Sequence, residues 1–297
     1  MFARWGRSWE LVKASWAVLR SDKELVIFPI ISAIGCFIVS LTFFIPMLAT
    51  GAFDSIGRRG TNGIGLGQLI ILFLFYFVTY TVIIFCSSAL VGAALVRLDG
   101  GNPTLSDGFK VAQSRLPQIL GYALISATVG LVLQLLSSVA RNNKNIVLAI
   151  IGQIVVAIAG TAWSIATFLA VPVLVVEGVG PIEAVKRSTA LLKKTWGEQI
   201  IGDLSIGGIF GLLSLGVILI GVALGFLFAN APALLILVII VAVAALIALG
   251  VVSSALSAIF RAALYRYAHD GKTTEFFPQE MIQGAFKTDT PEKGIFS

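Results

Sequence analysis

The sequence predicts an all-α membrane protein, with six transmembrane helices arranged as three helical hairpins, each hairpin preceded by an amphipathic helix. Three observations carry this. Apolar runs reach or exceed the ~20 residues that cross a hydrocarbon layer as a helix, and they recur along the whole chain. Hydrophobic residues make up 58% of the 297 and charged residues 12%, against roughly 25% charged in soluble domains. Finally, one short pattern (acid, any residue, apolar, lysine, any residue, small) occurs three times, each time just ahead of an apolar run: Glu10–Ser15, Asp107–Ala112 and Glu183–Ser188.

The first unit opens with Trp5, Trp9, Val12, Trp16 and Leu19 at helical spacing, while Arg4, Arg7, Lys13 and Arg20 fall largely elsewhere on the wheel. That is an amphipathic helix whose tryptophans suit the headgroup level. Its tryptophans and Glu10 interrupt the basic N-terminus before any apolar core, so it does not read as a cleaved signal peptide. Ser21-Asp22-Lys23-Glu24 breaks the helix, and a span follows over about 25–49 with Pro29 and Pro46 near its ends, where proline costs least. A glycine-rich loop, 51–67, includes Gly63-Ile64-Gly65-Leu66-Gly67. No strand precedes it, so it reads as a turn rather than a phosphate cradle. The second span covers about 68–96 and ends at Arg97-Leu98-Asp99-Gly100.

The second unit starts with helix-start chemistry at Asn102-Pro103-Thr104-Leu105-Ser106-Asp107. Its spans cover about 116–139 and 146–176, joined by the polar turn Arg141–Asn145, and it closes at Glu177-Gly178. The third unit begins after Gly180-Pro181, with proline at the first helical position. Its spans cover about 200–228 and 232–267, and it closes at Asp270-Gly271. The exits of the first and third units match further: Ser87–Leu90 parallels Ser253–Leu256, and Ala93–Arg97 parallels Ala262–Arg266. The expected organisation is a single membrane domain over 1–271, with units of about 1–100, 101–178 and 179–271. A cytoplasmic tail over 272–297 carries a short helix near Gln279–Phe286.

Charge sets the expected orientation. Seventeen of the 21 lysines and arginines fall on the side of the N-terminal segment, the 97–115 and 177–198 connections and the region after Phe260; Arg58, Arg59, Arg141 and Lys144 fall on the other. The positive-inside rule then places both termini in the cytoplasm of a plasma (inner) membrane. The net charge of +6 sits beside the spans, which points to anionic membrane lipid as a partner and away from nucleic acid. Cys36 and Cys86 lie within apolar runs and read as buried thiols.

Candidate site residues follow from this frame. Lys186, Arg187, Lys193 and Lys194, with Trp196 at the headgroup level, form a candidate lipid-binding helix, and Val185, Leu192 and Trp196 are its expected membrane-sinking side. Gly207 with Gly211, and Gly221 with Gly225, form small-xxx-small pairs that let helices approach, whether in this chain or in a homo-oligomer or partner membrane protein. Asp203 lies about one turn inside the fifth span. It is a functional candidate as an intramembrane acid, although a helix N-terminus or the headgroup level also accommodates it. Gln134 and Gln153 are candidates for hydrogen bonds between helices. His269, the only histidine, has no cysteine or acidic cluster beside it, so no metal ligands are expected. No HExxH, Walker sequence or nucleophile elbow occurs, and neither catalysis nor a cofactor is expected. The absence of any charge near mid-span argues against an ion-coupled transporter.

With these residues in place, the chain resembles a family of uncharacterised prokaryotic multi-pass membrane proteins. The carriers are Ser15–Arg20 with Asp22–Leu25 and Phe28-Pro29, then Ala263–Ala268, and Gly284-Ala285-Phe286. Glu183–Ser188 is also similar to a segment of the membrane domain attached to some glycerophosphodiester phosphodiesterases. The catalytic domain of those enzymes is missing, so the likeness transfers no activity. The expected function is that of a non-enzymatic membrane-organising or partner-binding protein; the alternative is a channel or transporter for lipid or a small solute.

Overall fold

The structure, a computed structural model, describes residues 2–49, 66–143, 145–196 and 205–284. Among these residues all regular structure is helical, and six helices are long and apolar enough to cross a membrane. Most of the 51–67 loop, Asp203, and the tail beyond Gly284 lie outside the described residues.

Helix α1, Phe2–Ser21, ends where Asp22 turns extended and accepts the Glu24 amide at 3.2 Å, opening a 3-10 turn over Lys23–Val26. The crossing helix α2, Ile27–Ala49, follows, with Pro29 in its first turn and Pro46 in its last. Helix α3 spans Leu66–Leu98. Helix α4, Leu105–Ser114, begins with a capping box: Thr104 Oγ1 accepts from the Asp107 amide, and the Asp107 carboxylate accepts from the Thr104 amide at 3.1 Å. Pro117 opens α5, Leu116–Arg141, at a position where the missing N–H is an orphan anyway.

The fourth crossing segment departs from the continuous span expected. It divides into α6, Ile146–Ala166, and α7, Ala170–Glu177, with turn geometry over Thr167–Leu169. Pro172 explains the break. It has no N–H for the carbonyl four residues earlier, that of Phe168, and its ring crowds that carbonyl. The amide of Leu169, freed from the helical ladder, donates instead to Ser188 Oγ at 3.0 Å in a fully buried bond. Ser188 belongs to α8, Pro181–Trp196. The last hairpin comprises α9, Ser205–Leu227, and α10, Pro232–Asp270; α11, Gln279–Gly284, is in the tail.

At 39 residues, α10 is about 58 Å long, against a hydrocarbon layer of ~30 Å. Its buried residues all lie from Ala255 onward. Most of the other crossing helices share the asymmetry, whereas α5 also buries Ser137 and Ala140 at its far end. The buried residues of α3 all fall between Ile84 and Leu98, α9 buries Ile206, Ile209 and Phe210, and α2 buries only Phe28 and Pro29 among its described side chains. Helix α6 buries nothing, whereas α7 buries Ala170, Pro172, Val173, Leu174 and Val175. Packing inside the protein is thus gathered at the helix ends that adjoin the basic connections.

The chain forms two compact units. One comprises 1–29, 94–103 and 191–297, and the other 30–93 and 104–190. In the first, α1 packs on α9, α10 and α11, so the N-terminal helix is joined to the last hairpin. The tail docks there as well: Phe277 is fully buried, with its ring 6.4 Å from that of Phe260. In the second, α5 and α6 form a hairpin, and α4 packs on α5.

Candidate functional site

The basic helix α8 is built from one buried and one charged face. Ala184, Ser188 and Leu192, spaced by four residues, are all buried, and Ser188 anchors the helix through its bond to Leu169. Lys186, Arg187, Lys193 and Lys194 are exposed. The expected membrane-sinking side is therefore corrected at Leu192. Leu192 retains 2% of its accessible surface and packs within the protein, and Val185 is half-buried. The side chain of Trp196 lies outside the described residues. Ile182, 63% exposed, is a large apolar residue of this helix that remains open.

The four basic residues also differ in occupation. Arg187 is held by two carboxylates: Nη1 contacts Glu177, and Nε donates to Glu183 Oε1 at 2.9 Å. These bonds, that to Glu177 first, push the guanidinium pKa up and keep it charged. Its charge is thus neutralised within the chain. Lys186, Lys193 and Lys194 make no ion pair among the described residues and remain the free cations of this helix.

The three acid–lysine segments share one burial pattern. The acids Glu10, Asp107 and Glu183 are exposed, as are the lysines Lys13, Lys110 and Lys186. Leu11, Gly108 and Ala184, at the second position, are buried, and Ser15, Ala112 and Ser188, at the sixth, are each fully buried. A spacing of four places the second and sixth positions on one stripe, so each helix turns a small residue into the protein and its charges outward.

The three exits also share a backbone state. Gly100, Gly178 and Gly271 have φ of 84°, 65° and 68°, and they are the positive-φ glycines among the described residues. Each closes an inbound helix in the left-handed conformation that favours glycine. The acid beside each glycine meets a side-chain nitrogen of an arginine or a histidine. Asp99 pairs with Arg266, Glu177 with Arg187, and Asp270 lies 2.6 Å from His269 Nδ1. Arg97 adds bonds to Ser21 Oγ at 3.1 Å and to the Gly101 carbonyl at 3.2 Å. At the second exit, Arg115 Nε donates to the Val175 carbonyl at 3.1 Å and Gln118 to that of Gly178 at 3.3 Å, satisfying the last carbonyls of α7. Burial is the largest influence on Asp22 and raises its pKa, against the Glu24 amide bond and the Arg97 charge. Asp107 is lowered by its bonds to Thr104.

The remaining candidates are placed as follows. Gln134 is exposed on α5. Gln153 joins α6 to α5: its Nε2 donates to the Ser137 carbonyl at 2.8 Å, and its Oε1 accepts from Ser137 Oγ at 3.2 Å. Arg141 donates to the same hydroxyl at 2.8 Å, completing a polar clamp beside the hairpin turn. A Cβ on Gly207 or Gly211 would meet nothing within 4 Å among the described residues, so this pair makes no close approach there. At Gly221 the nearest atom is the Ala242 methyl at 3.4 Å, and at Gly225 it is a Leu235 methyl at 3.7 Å, both ordinary contacts. The tight approaches lie elsewhere. A Cβ on Gly35 would stand 2.8 Å from Val82, one on Gly92 2.9 Å from Val111, and one on Gly152 2.7 Å from Ala140. Gly35 and Gly152 have no small residue four positions away, so the paired spacing misses them, whereas Gly92 follows Ser88 by four.

The signature of a family of unknown function, DUF6159, matches residues 66–276. The chain belongs to that family. The DUF6159 span runs from the start of α3 into the tail, so it contains the basic helix α8 and all three acid–glycine exits. It begins after α1 and α2. Of the residues that carry the resemblance to an uncharacterised membrane family, Ala263–Ala268 lie inside the DUF6159 match, and Ser15–Pro29 precede it. A comparison with curated proteins finds no match, and the likeness of Glu183–Ser188 to a phosphodiesterase-linked membrane domain gains nothing from either comparison.

Proposed function

We propose that this DUF6159 chain is a non-enzymatic, multi-pass protein of the plasma membrane that organises lipid and partner membrane proteins, with both termini in the cytoplasm. The observation that carries the reading is the build of α8. It is anchored by buried Ala184, Ser188 and Leu192, and it presents Lys186, Lys193 and Lys194 outward without ion pairs among the described residues. At the headgroup level each such charge attracts anionic lipid by about 1 kcal/mol. The division of basic residues between the two sides of the spans supports the cytoplasmic placement. The exposed apolar faces of α6, α9 and the first half of α10 support the partner role. They are broad enough to receive further helices, whether of a second copy or of another protein.

Purification of the full chain from its native membrane, followed by native mass spectrometry, tests the proposal. The expected result is a chain carrying anionic lipid together with a stoichiometric partner or further copies of itself. A solitary chain that instead supports solute or lipid flux in liposomes would replace this reading with a channel or transporter.

A further inference from the structure

Within the first compact unit an apolar groove of about 680 Å³ opens between α1 and the last hairpin, a volume in the range of small-molecule sites. Its floor is made by Val217 and Ile209 of α9 and by the stretch of α10 from Ala245 to Leu256. Small side chains at Ala245 and Ala248 leave the space open. On α10 the lining runs over 12 residues, Ala245 to Leu256, whose ends lie about 16 Å apart at 1.5 Å per step, while half of a ~30 Å hydrocarbon layer is ~15 Å. The groove therefore has the length of one leaflet's acyl layer.

The α1 wall differs in chemistry. Trp9 and Trp16, each 49% exposed, flank Lys13, which is exposed and makes no ion pair or hydrogen bond among the described residues. A lysine stem lies along apolar surface while its ammonium seeks a polar partner, and a tryptophan pairs an apolar ring with one N–H donor. An unpaired cation between two such rings, at the rim of an acyl-length slot, matches one kind of molecule. We infer that this groove binds a single phospholipid, with one acyl chain lying along α9 and α10 and an anionic headgroup held by Lys13. This goes beyond the proposed function, because attraction to the surface of α8 needs no groove and none of Lys186, Lys193 or Lys194 lines it.

The test uses the full chain in nanodiscs of equimolar phosphatidylglycerol and phosphatidylcholine, released into mild detergent for native mass spectrometry. The parent should retain one phosphatidylglycerol per chain. Lys13→Gln, at an exposed site that leaves folding intact, should lower retention of phosphatidylglycerol relative to phosphatidylcholine about fivefold, the factor expected of one headgroup-level charge. Ala248→Phe, also at an exposed position, should abolish retention of either lipid while helicity and melting stay at the parent level. Lys193→Gln with Lys194→Gln should leave the retained lipid in place, which separates this site from the α8 reading. Unchanged retention in both Lys13→Gln and Ala248→Phe would overturn the inference. A parent dimer that Ala248→Phe converts to monomer would assign the groove to a second copy and would overturn it equally.

Discussion

The two ends of most crossing helices obey different rules. Near the basic connections, α3, α7 and α10 bury alanine, leucine and valine to within a few per cent of zero exposure, as at Ala89, Leu174 and Leu256. Further along, the same kinds of residue are open: Ile158 on α6 is 64% exposed, and Ile240 on α10 is 59%. Composition does not distinguish the ends, since both are apolar. What differs is the solvent each half meets. In hydrocarbon an exposed isoleucine loses nothing, so there is no hydrophobic drive to bury it and contact must come from shape and polar bonds. Among the described residues, that half shows the polar clamp of Ser137, Gln153 and Arg141, the close approach of Gly152 to Ala140 and the edge-on contact of Phe43 with Phe75. Helices α1, α4 and α8 bury one stripe while turning their described charges outward, the pattern that contact with water favours.

Core truncation gives the sharpest contrast between the two ends. Leu256→Ala removes a fully buried side chain and should destabilise by about 2–5 kcal/mol. Ile240→Ala on the same helix should stay within ~0.5 kcal/mol of the parent, read as melting in detergent–lipid mixtures. Comparable losses for the two variants would erase the distinction. Next in size is Ser188→Ala, which strands the buried Leu169 amide at the α6–α7 break and should cost about 1–3 kcal/mol. Ser188→Thr, which keeps the hydroxyl, should recover part of that loss.

Gly178→Ala should cost about 1–2 kcal/mol from its left-handed backbone alone, and more because the new methyl would strike the Arg115 guanidinium. Gly207→Ala is the matched control, with open space around it among the described residues, and should leave melting unchanged. The smallest effect belongs to Asp22. Burial raises its pKa above 3.8, so folding disfavours its ionised form. The stability associated with the protonated form is complete below 3.8 and is lost as pH rises through the folded-state value. Melting followed across that interval should fall more steeply with rising pH in the parent than in Asp22→Asn. Parallel profiles would mean that the buried carboxyl is solvated after all.

Much of this architecture can be read from residues. The spans follow from apolar length, and the capping box from Thr104 and Asp107. The acid–glycine exits mark the positions at which the backbone turns left-handed. The break at Thr167–Leu169 carries a signal in Pro172, but an apolar run of that length masks it unless the partner for the freed amide, Ser188, is known. The burial of Leu192 is hidden for a different reason, because an amphipathic stripe looks the same whether it faces lipid or protein. The pairing of Arg187 depends on Glu177 meeting α8 across the Gly178 turn, which spacing along the chain does not specify. The docking of α1 on the last hairpin depends on contacts between residues more than 180 positions apart and has no local signature.

The proposed topology has six spans, with the packed helix ends toward the cytoplasm. Single cysteines introduced in a background lacking Cys36 and Cys86, and probed on intact cells with a membrane-impermeant maleimide, test it most directly. The account predicts labelling at Asn143 and Asn230, beside the exposed ends, and none at Asp107 or Thr195, beside the packed ones. Labelling of the Thr195 site from outside would contradict both the orientation and the count of spans.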